Sequence, residues 1–454
     1  MSIINQNTPF IQPHYFIQSL HKHQPKAILK DIEGLDYFRA VHQIVNDQEL
    51  LTLMAAFLEE MDLKFMKSIF RKNNYYVKDK RERTIMTSYG LLRYKRRVYI
   101  QKANYSRYYY IDEYLGVRKY QRVEDFLKFE MLKQLVQDKT SYQKVAQKYS
   151  LSKSVVYYTL KNLNLADDPE LITNLVNQNK AYLQVDEHYV SLQKQKAQKI
   201  MMIKQATYFT GVKRINKSRN KLINRHILTQ KYDEGNQQFY RRVYNTICQM
   251  NPNLQSIDII TQGDGASWIQ SFSESINAKF YIDRFHFHQA LNRCIPREFR
   301  SLKSHLLDDL RNDRKQKFKD VICSLHHQTS YQDLDKYIKQ NSDYILKHAP
   351  SYFEAEQLNL PGCSAEGMVS HYLASLLTRH PKAYCPHNAS VLASLICMHH
   401  NRVDITRHLL ENKSVLYQPT FTEPLSASNF KTRKSEDIPT YTLNLKYINL
   451  DPLH

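Results

Sequence analysis

Glycine is scarce in this chain, with nine residues in 454, about 2 % where ~7 % is usual. Four of the nine, Gly263, Gly265, Gly362 and Gly367, flank an acid, Asp264 or Glu366. A chain that avoids glycine keeps it where the backbone must turn sharply or approach another group closely. Tryptophan occurs once, at Trp268, and reads as a core anchor before a base-stacking residue. No C-x-x-C pair exists among the six cysteines, Cys248, Cys294, Cys323, Cys363, Cys385 and Cys397. Scattered single thiols argue against a disulfide framework and fit reduced cysteines in a cytoplasm. Cys385-x-His387 and Cys397-x-His399 have the wrong spacing for common structural zinc sites. Long apolar runs are missing as well. The run from Val391 to Met398 is far too short to span a bilayer. The segment Met1 to Asn7 has no charged stretch leading into an apolar one, so no secretion signal is expected.

Acids are also in deficit. There are 44 against 65 lysines and arginines, a net charge of +21 and a pI near 9.4. That balance, without a membrane span, points to a polyanionic partner, most often nucleic acid. The 33 tyrosines suit phosphate contacts and base stacking as well as ordinary cores. The length predicts two or three domains.

Residues 1–35 read as a polar arm, and 36–73 as helix, with Leu50, Leu51, Leu53, Met54, Phe57, Leu58, Met61 and Phe65 spaced at three and four. Thr84 to Ile100 reads as two strands turning at Tyr89-Gly90. Its Arg93, Lys95, Arg96 and Arg97 suit a phosphate-binding hairpin or, equally, an edge strand protected by charge. Residues 124–163 read as helices. Within them a Thr140-Ser141 cap, buried Val145 and Ala146, a turn before Leu151, a Ser152 cap and inward Val155, Val156 and Leu160 make a helix-turn-helix pattern. Lys153, Ser154, Tyr157 and Lys161 would face DNA; a helical hairpin within a bundle is the alternative.

The segment Tyr182 to Leu192 reads as a strand with Asp186 at its middle, a costly place for an acid that binds nothing. Strands over 200–212, a basic turn with Lys213, Arg214, Lys217, Arg219, Lys221 and Arg225, a helix over 237–250 and a strand over 257–262 follow. That last strand ends at Gly263-Asp264-Gly265, and a short one over 279–283 leads to His286 and His288. Residues 297–360 read as an all-helical insertion with apolar faces Leu302, Leu306, Leu307, Leu310 and Phe318, Val321, Ile322, Leu325. After Pro361-Gly362, Ser364 can cap a helix with Glu366 in its first turn. The order of elements matches an RNase H-like α/β domain, with one acid mid-strand, one just past the fourth strand and one on a later helix. Phosphodiester cleavage and strand transfer need oxygens clamped between divalent ions, and Mg²⁺ prefers carboxylate and water oxygens. Neighbouring acids leave alternatives open: Glu187 for Asp186, Asp283 for Asp264, and Glu354 or Glu356 for Glu366.

Four segments carry a family resemblance. They are Asp186-Glu187-His188-Tyr189-Val190-Ser191-Leu192-Gln193, Gly263-Asp264-Gly265-Ala266-Ser267-Trp268-Ile269, Asp283-Arg284-Phe285-His286 and Cys363-Ser364-Ala365-Glu366-Gly367-Met368-Val369-Ser370-His371. Together they resemble the ISLre-type bacterial insertion-sequence transposases, a group with an Asp-Asp-Glu triad, from about Thr84 to Asn401. That family often has a further acid where this chain has His188, and Gly-Trp where it has Ala383-Tyr384. The resemblance implies a triad of Asp186, Asp264 and Glu366 holding two Mg²⁺ ions, with Mn²⁺ as a substitute. A histidine after the second acid is similar to Mutator-like transposases, which gives His286 and His288 an auxiliary role beside the plain reading of hydrogen-bonded structural histidines.

The expectation is therefore an α/β protein: an RNase H-like catalytic domain interrupted by a helical insertion and preceded by a helix-turn-helix region with a small β segment. The expected divisions are a helical arm and basic β segment over 1–110, the DNA-binding region over 111–175, the first part of the core over 176–296, the insertion over 297–360, the last core helices over 361–412 and a tail over 413–454. The expected partners are double-stranded DNA, as transposon ends and target, and further copies of the chain, a dimer or higher. The expected place is the cytoplasm, at the nucleoid. A DNA-binding regulator without catalysis, or an RNase H-like nuclease or resolvase, would share most of these features.

Overall fold

The computed structural model describes residues 47–419, apart from 173–174, 194–198, 217–219, 254–257, 296, 328–333 and 380–382. The expected arm over 1–35, the start of the first helical stretch and most of the tail lie outside these residues.

At the front, a helix lies on a hairpin. Helices α1 (Asp47–Lys67) and α2 (Ile69–Asn74) lead into strands β1 (Tyr75–Thr87), β2 (Gly90–Gln101) and β3 (Arg107–Tyr108), then α3 (Tyr110–Tyr114). The three strands form one antiparallel sheet. Strand β1 begins at Tyr75, well before the expected Thr84. Tyr75 is held by aromatic contacts, stacked on Tyr108 at 4.8 Å and edge-on to Phe65 at 6.1 Å. The charged run Lys78 to Arg83 is thereby drawn along β2 although it has no apolar alternation. At the hairpin turn Gly90 has φ of 124°, a value that side chains rarely allow.

Helices α4 (Asp125–Gln137), α5 (Tyr142–Lys148) and α6 (Lys153–Lys161) follow. Ser141 Oγ accepts from Lys144 N and Ser152 Oγ from Ser154 N, each at 3.3 Å, so both short helices are capped at the expected serines. Val145, Ala146, Val155, Val156 and Leu160 are buried. The turn between them has no glycine; Ser150 takes the left-handed conformation instead, with φ of 54°.

Next come β4 (Ala181–Ser191), β5 (Ile200–Phe209), the ribbon β6 (Gly211–Arg214) and β7 (Asn220–Ile223), β8 (His226–Thr229), α7 (Asn236–Met250), β9 (Ile259–Gly263), α8 (Ser267–Ser275), β10 (Lys279–Ile282) and α9 (Arg284–Cys294). Five of the strands form a mixed sheet in the order β10-β9-β4-β5-β8. The β10–β9 and β9–β4 pairs are parallel; β4–β5 and β5–β8 are antiparallel. Central β4 is covered on both faces. Leu183 and Val185 pack with Phe239, Val243 and Phe272 from α7 and α8. Gln184, Asp186 and Val190 face the other way, because side chains alternate along a strand. Val190 there joins Ile203 in a core with the flanking helices.

The insertion is helical as expected: a 3₁₀ segment (Arg297–Leu302), α10 (Lys303–Arg311), α11 (Lys315–His327) and α12 (Leu334–Gln357). Leu306, Leu310, Phe318 and Ile322 share a core with Ile282, Phe287 and Leu291, which fastens the block to β10 and α9. The chain then makes α13 (Ala365–Val369), a π-type turn (Ser370–Ala374), α14 (Ser375–Leu377), α15 (Pro386–His400), α16 (Ile405–Glu411) and α17 (Lys413–Leu416). The helix expected to run on from Ser364 is thus broken by the π turn. One core holds Val156 and Leu160 of α6 together with Leu392 of α15, Leu409 of α16 and Tyr417. The expected division near residue 175 therefore does not separate two cores. The tail begins later than residue 413, since Leu416 and Tyr417 are buried and Tyr417 sits edge-on to Phe129 at 5.3 Å. Among the described residues no helix is long and apolar enough to cross a membrane.

Candidate active site

Parallel pairing of β4 with β9 sets the first two acids side by side. Gln184 lies opposite Gln262 in the register, so two residues further on Asp186 and Asp264 continue the same row on the same face. Asp186 is mid-strand, and Asp264 follows the last residue of β9. Both are half-buried. Asp186 Oδ1 accepts from Glu187 N at 2.8 Å, and Asp264 Oδ1 accepts from Ala266 N at 2.9 Å.

The glycines around Asp264 are required. A Cβ on Gly263 would stand 2.8 Å from Ile269 Cδ1 and 2.9 Å from the Val185 carbonyl oxygen. Gly265 has φ of 86°, and a Cβ there would meet His348 Nε2 at 2.8 Å. Helix α12 closes over this turn, and Tyr344 OH donates to the Asp264 carbonyl at 2.6 Å. At the third acid the expectation of a constrained backbone fails. Gly362 and Gly367 have open space where a Cβ would go and no left-handed φ. They leave room beside Glu366 instead of shaping a turn. Glu366 is the exposed second residue of α13. The expected Ser364 cap is not formed either, because Ser364 N and Oγ both donate to Gln184 Oε1 at 2.9 Å.

Electrostatics link the acids. The Asp186 carboxyl is pushed up to about 7, first by burial and then by the charges of Asp264 and Glu187, against the Glu187 N–H and His286, which lower it. His286 is raised by its hydrogen bond to Asp283, Nδ1 to Oδ2 at 2.8 Å, and by the charges of Asp283, Asp264 and Glu366. Burial and the charges of Asp283, Asp186 and Asp264 push the Cys363 thiol well up. Asp186, Asp264 and Glu366 thus act on one small region, which His286 shares. Among the described residues no three His, Cys, Asp or Glu side chains stand close enough to hold an ion as they are.

The alternative acids are engaged elsewhere. Glu187 points to the opposite face of β4 and accepts from Trp268 Nε1 at 2.7 Å. Trp268 also lies under Lys204 Nζ, 4.8 Å from the ring centre. Asp283 caps α9 through Phe285 N and holds His286. Glu354 pairs with Lys279, and Glu356 accepts from Tyr352 OH at 2.8 Å. The two expected auxiliary histidines separate. His286 shares the field of the acids, whereas His288 Nε2 is bonded to Tyr352 OH of α12 at 2.9 Å, a structural role.

The basic candidates also divide. On β2, Arg93 and Lys95 are exposed. Arg96 is buried, ion-paired with Asp112 and stacked over Tyr109 at 3.9 Å. Arg97 donates from both its backbone N and its guanidinium to the fully buried Asp62, at 3.0 and 2.8 Å. The expectation that all four reach phosphate is corrected for Arg96 and Arg97, whose guanidinia neutralise interior carboxylates. On α6, Lys153 and Lys161 are exposed while Ser154 and Tyr157 are half-buried. Tyr157 sits edge-on to Tyr158 at 5.2 Å.

A family model described as "Uncharacterised protein family (UPF0236)" matches residues 33–413. The chain belongs to the UPF0236 family. Its relatives include a UPF0236 protein of Caldanaerobacter subterraneus subsp. tengcongensis whose name joins eleven loci. That protein is 22 % identical over 360 residues, covering 77 % of this chain and 74 % of its own length. Another UPF0236 protein of the same organism is 23 % identical over 361 residues, covering 77 % and 75 %. A third, whose name joins four loci, is 23 % identical over 363 residues, covering 77 % and 74 %.

Sequence reasoning passed over three residues of this UPF0236 chain that shape the site. Gln184 and Gln262 lie one step down the strands from Asp186 and Asp264, and Tyr344 reaches the Asp264 carbonyl from the insertion. An amide two positions before each acid, and so on the same strand face, was the available signal for the glutamines. Tyr344 gave none, being one tyrosine among 33.

Proposed function

We propose that this UPF0236 chain is a DNA transposase of a bacterial insertion sequence. It binds the terminal inverted repeats of its element, cleaves there, and joins the freed 3′-hydroxyl to target DNA. Asp186, Asp264 and Glu366 form its catalytic triad. The observation that carries this reading is the row of Asp186 and Asp264 on adjacent parallel strands, with the segment leading to Glu366 bonded to Gln184 in the same row. The sheet supports an RNase H-like reading: β4 is its first strand in the chain and β9 its fourth, and the acids lie on one and just past the other. A relative whose name joins eleven loci of one organism suits a gene that copies itself.

The donor set fits divalent cations. Carboxylate oxygens suit Mg²⁺ or Mn²⁺, and the upward push on Asp186 from burial and from Asp264 is the kind of cost that a bound cation relieves. Two such ions, when bound, would clamp the attacking and leaving oxygens of a phosphodiester. Around them, Asp186 and Asp264 are held by strand and turn, and Glu366 closes from an exposed helix start. His286, raised by Asp283, keeps its proton to higher pH and offers positive charge to a phosphate beside the acids. The α5–α6 pair, read as a helix-turn-helix, and the exposed Arg93 and Lys95 hold the duplex. Two ends must be paired, so the working form is a dimer or higher on DNA.

The test is a cleavage and strand-transfer assay on the element's own ends with Mg²⁺ or Mn²⁺. Asp186→Asn, Asp264→Asn and Glu366→Gln should each abolish cleavage while end-binding persists. Cleavage that survives Glu366→Gln defeats the triad. Cutting of branched DNA without joining would mark a nuclease or resolvase, and binding without cutting a regulator.

A further inference from the structure

Gln184 and Gln262 are buried, at 1 % and 3 % exposure, and face each other across the parallel β4–β9 pair. Gln184 Nε2 donates to Gln262 Oε1 at 3.0 Å and to the Gly362 carbonyl at 3.1 Å. Gln184 Oε1 accepts from both Ser364 N and Ser364 Oγ at 2.9 Å. Gln262 Nε2 donates to the Pro361 carbonyl at 3.0 Å. The partners fix the amide orientation: a flipped Gln184 would set its NH₂ against the Ser364 N–H and its oxygen against the Gly362 carbonyl.

We infer that Gln184 and Gln262 are positioning residues whose paired amides dock the Pro361–Ser364 segment, and with it the third acid, onto the two strands that carry the first two. The inference rests on the reading of the three acids as cation ligands. The chemistry requires glutamine at these places. Each side chain must donate to a carbonyl, and Gln184 must also accept twice. A glutamate would turn oxygens toward the Gly362 and Pro361 carbonyls, and a methionine of similar volume would satisfy none of them. Burial of Leu360, Ala365, Met368 and Val369 holds the apolar side of this stretch, and the amides supply its polar anchorage. Helix α13 has five residues and no side-chain cap, since the Ser364 hydroxyl is given to Gln184. Gly362 and Gly367 have open space about them. The amides join parts of the chain 178 residues apart, so they connect the long helical insertion's exit to the strand of the first acid. Partners that orient ligands in this way affect cation affinity by roughly 10–100-fold when removed.

The experiment is Mn²⁺ titration of the full chain, followed by electron paramagnetic resonance of the free ion and by the Mn²⁺-induced rise in melting temperature. The variants are Gln184→Met, Gln262→Met, the double variant, Ser364→Ala and Asp186→Asn. Positioning predicts wild-type circular dichroism, with a Kd for Mn²⁺ raised about 10-fold or more in each glutamine variant. The double variant should bind little worse than the weaker single one, because the two amides act as one unit. Ser364→Ala, which leaves the sheet untouched, should raise the Kd by a smaller factor. If Asp186→Asn abolishes Mn²⁺ binding while the glutamine variants keep the wild-type Kd, the positioning role is overturned and the triad stands. If Asp186→Asn binds Mn²⁺ as the wild type does, the triad itself fails. Should the methionine variants misfold, an unchanged Kd in Ser364→Ala overturns the inference, and a raised one supports it.

Discussion

Replacing Asp186 by asparagine should make the cation-free protein more stable, and more so as pH rises. Its carboxyl sits at about 7 in the native chain against 3.8 ordinarily, through burial and the charges of Asp264 and Glu187. The unfolded chain releases this proton first. Between about pH 4 and 7 the native state therefore holds the extra proton, and its stability falls as pH rises through that window. Carrying the full charge at pH 8 costs about 4 kcal/mol at most by the free energy of one pKa unit. Partial solvent access to the half-buried carboxyl trims this to roughly 2–3 kcal/mol. Asparagine has the same shape, stays neutral and keeps an acceptor for the Glu187 N–H. In thermal or urea unfolding with a chelator present, the advantage of Asp186→Asn over the wild type should grow by about 2 kcal/mol from pH 5 to pH 8. Mn²⁺ should reverse the order. The wild type gains about 4.1 kcal/mol at a thousand times the Kd, more than the charge cost it carries, and the variant gains nothing. A difference between the two proteins that stays flat with pH, or a variant less stable throughout, would refute the assignment of that charge cost to Asp186.

Gly263→Ala should destabilise by about 1–3 kcal/mol, since its methyl group meets the Val185 carbonyl and Ile269. Gly367→Ala, at a helical position with open space around it, should stabilise by about 0.5–1 kcal/mol in a melting experiment while weakening duplex engagement. Arg96→Ala should cost roughly 3 kcal/mol by leaving Asp112 buried with Arg83 alone, and should not alter the salt dependence of DNA binding. Arg93→Gln with Lys95→Gln should do the opposite, lowering the slope of log K against log salt by about 0.9 for each phosphate left without its cation. Ser150→Gly should stabilise by about 1 kcal/mol in a melting experiment, because Ser150 occupies left-handed φ at the turn between α5 and α6. An unchanged or lower melting temperature would count against that reading of the turn.

Much of the architecture could be read from residue order because each element carried its own local signal. The β-forming residues Leu183, Val185, Tyr189 and Val190 marked β4, the three-and-four spacing marked the insertion helices, and Ser141 and Ser152 marked two helix starts. What escaped was long-range. The alternation of β2 already put Arg96 on the face opposite Arg93 and Lys95, yet only the fold reveals that Asp62, 35 residues away, takes the Arg97 guanidinium. Ser364 looks like a cap in isolation and is claimed by Gln184, 180 residues distant. Glycine beside an acid suggested a forced backbone. That holds at Gly263 and Gly265, where neighbours crowd in, and not at Gly362 or Gly367, where none do. Sequence spacing shows that an acid is present in a turn, but not whether its surroundings are full or empty.

The common core of α6 with α15, α16 and Tyr417 bears on how such proteins diversify. A recognition module with its own interior can be exchanged between genes as a cassette. Here the helices read as sequence-recognising would leave behind Leu392 and Leu409, which complete their packing from far downstream in the chain. Under the proposed function, new end specificity would arise by substitution on the outer face of α6, at Lys153 and Lys161, and chimaeras joined near residue 175 should fold only when both halves come from one parent.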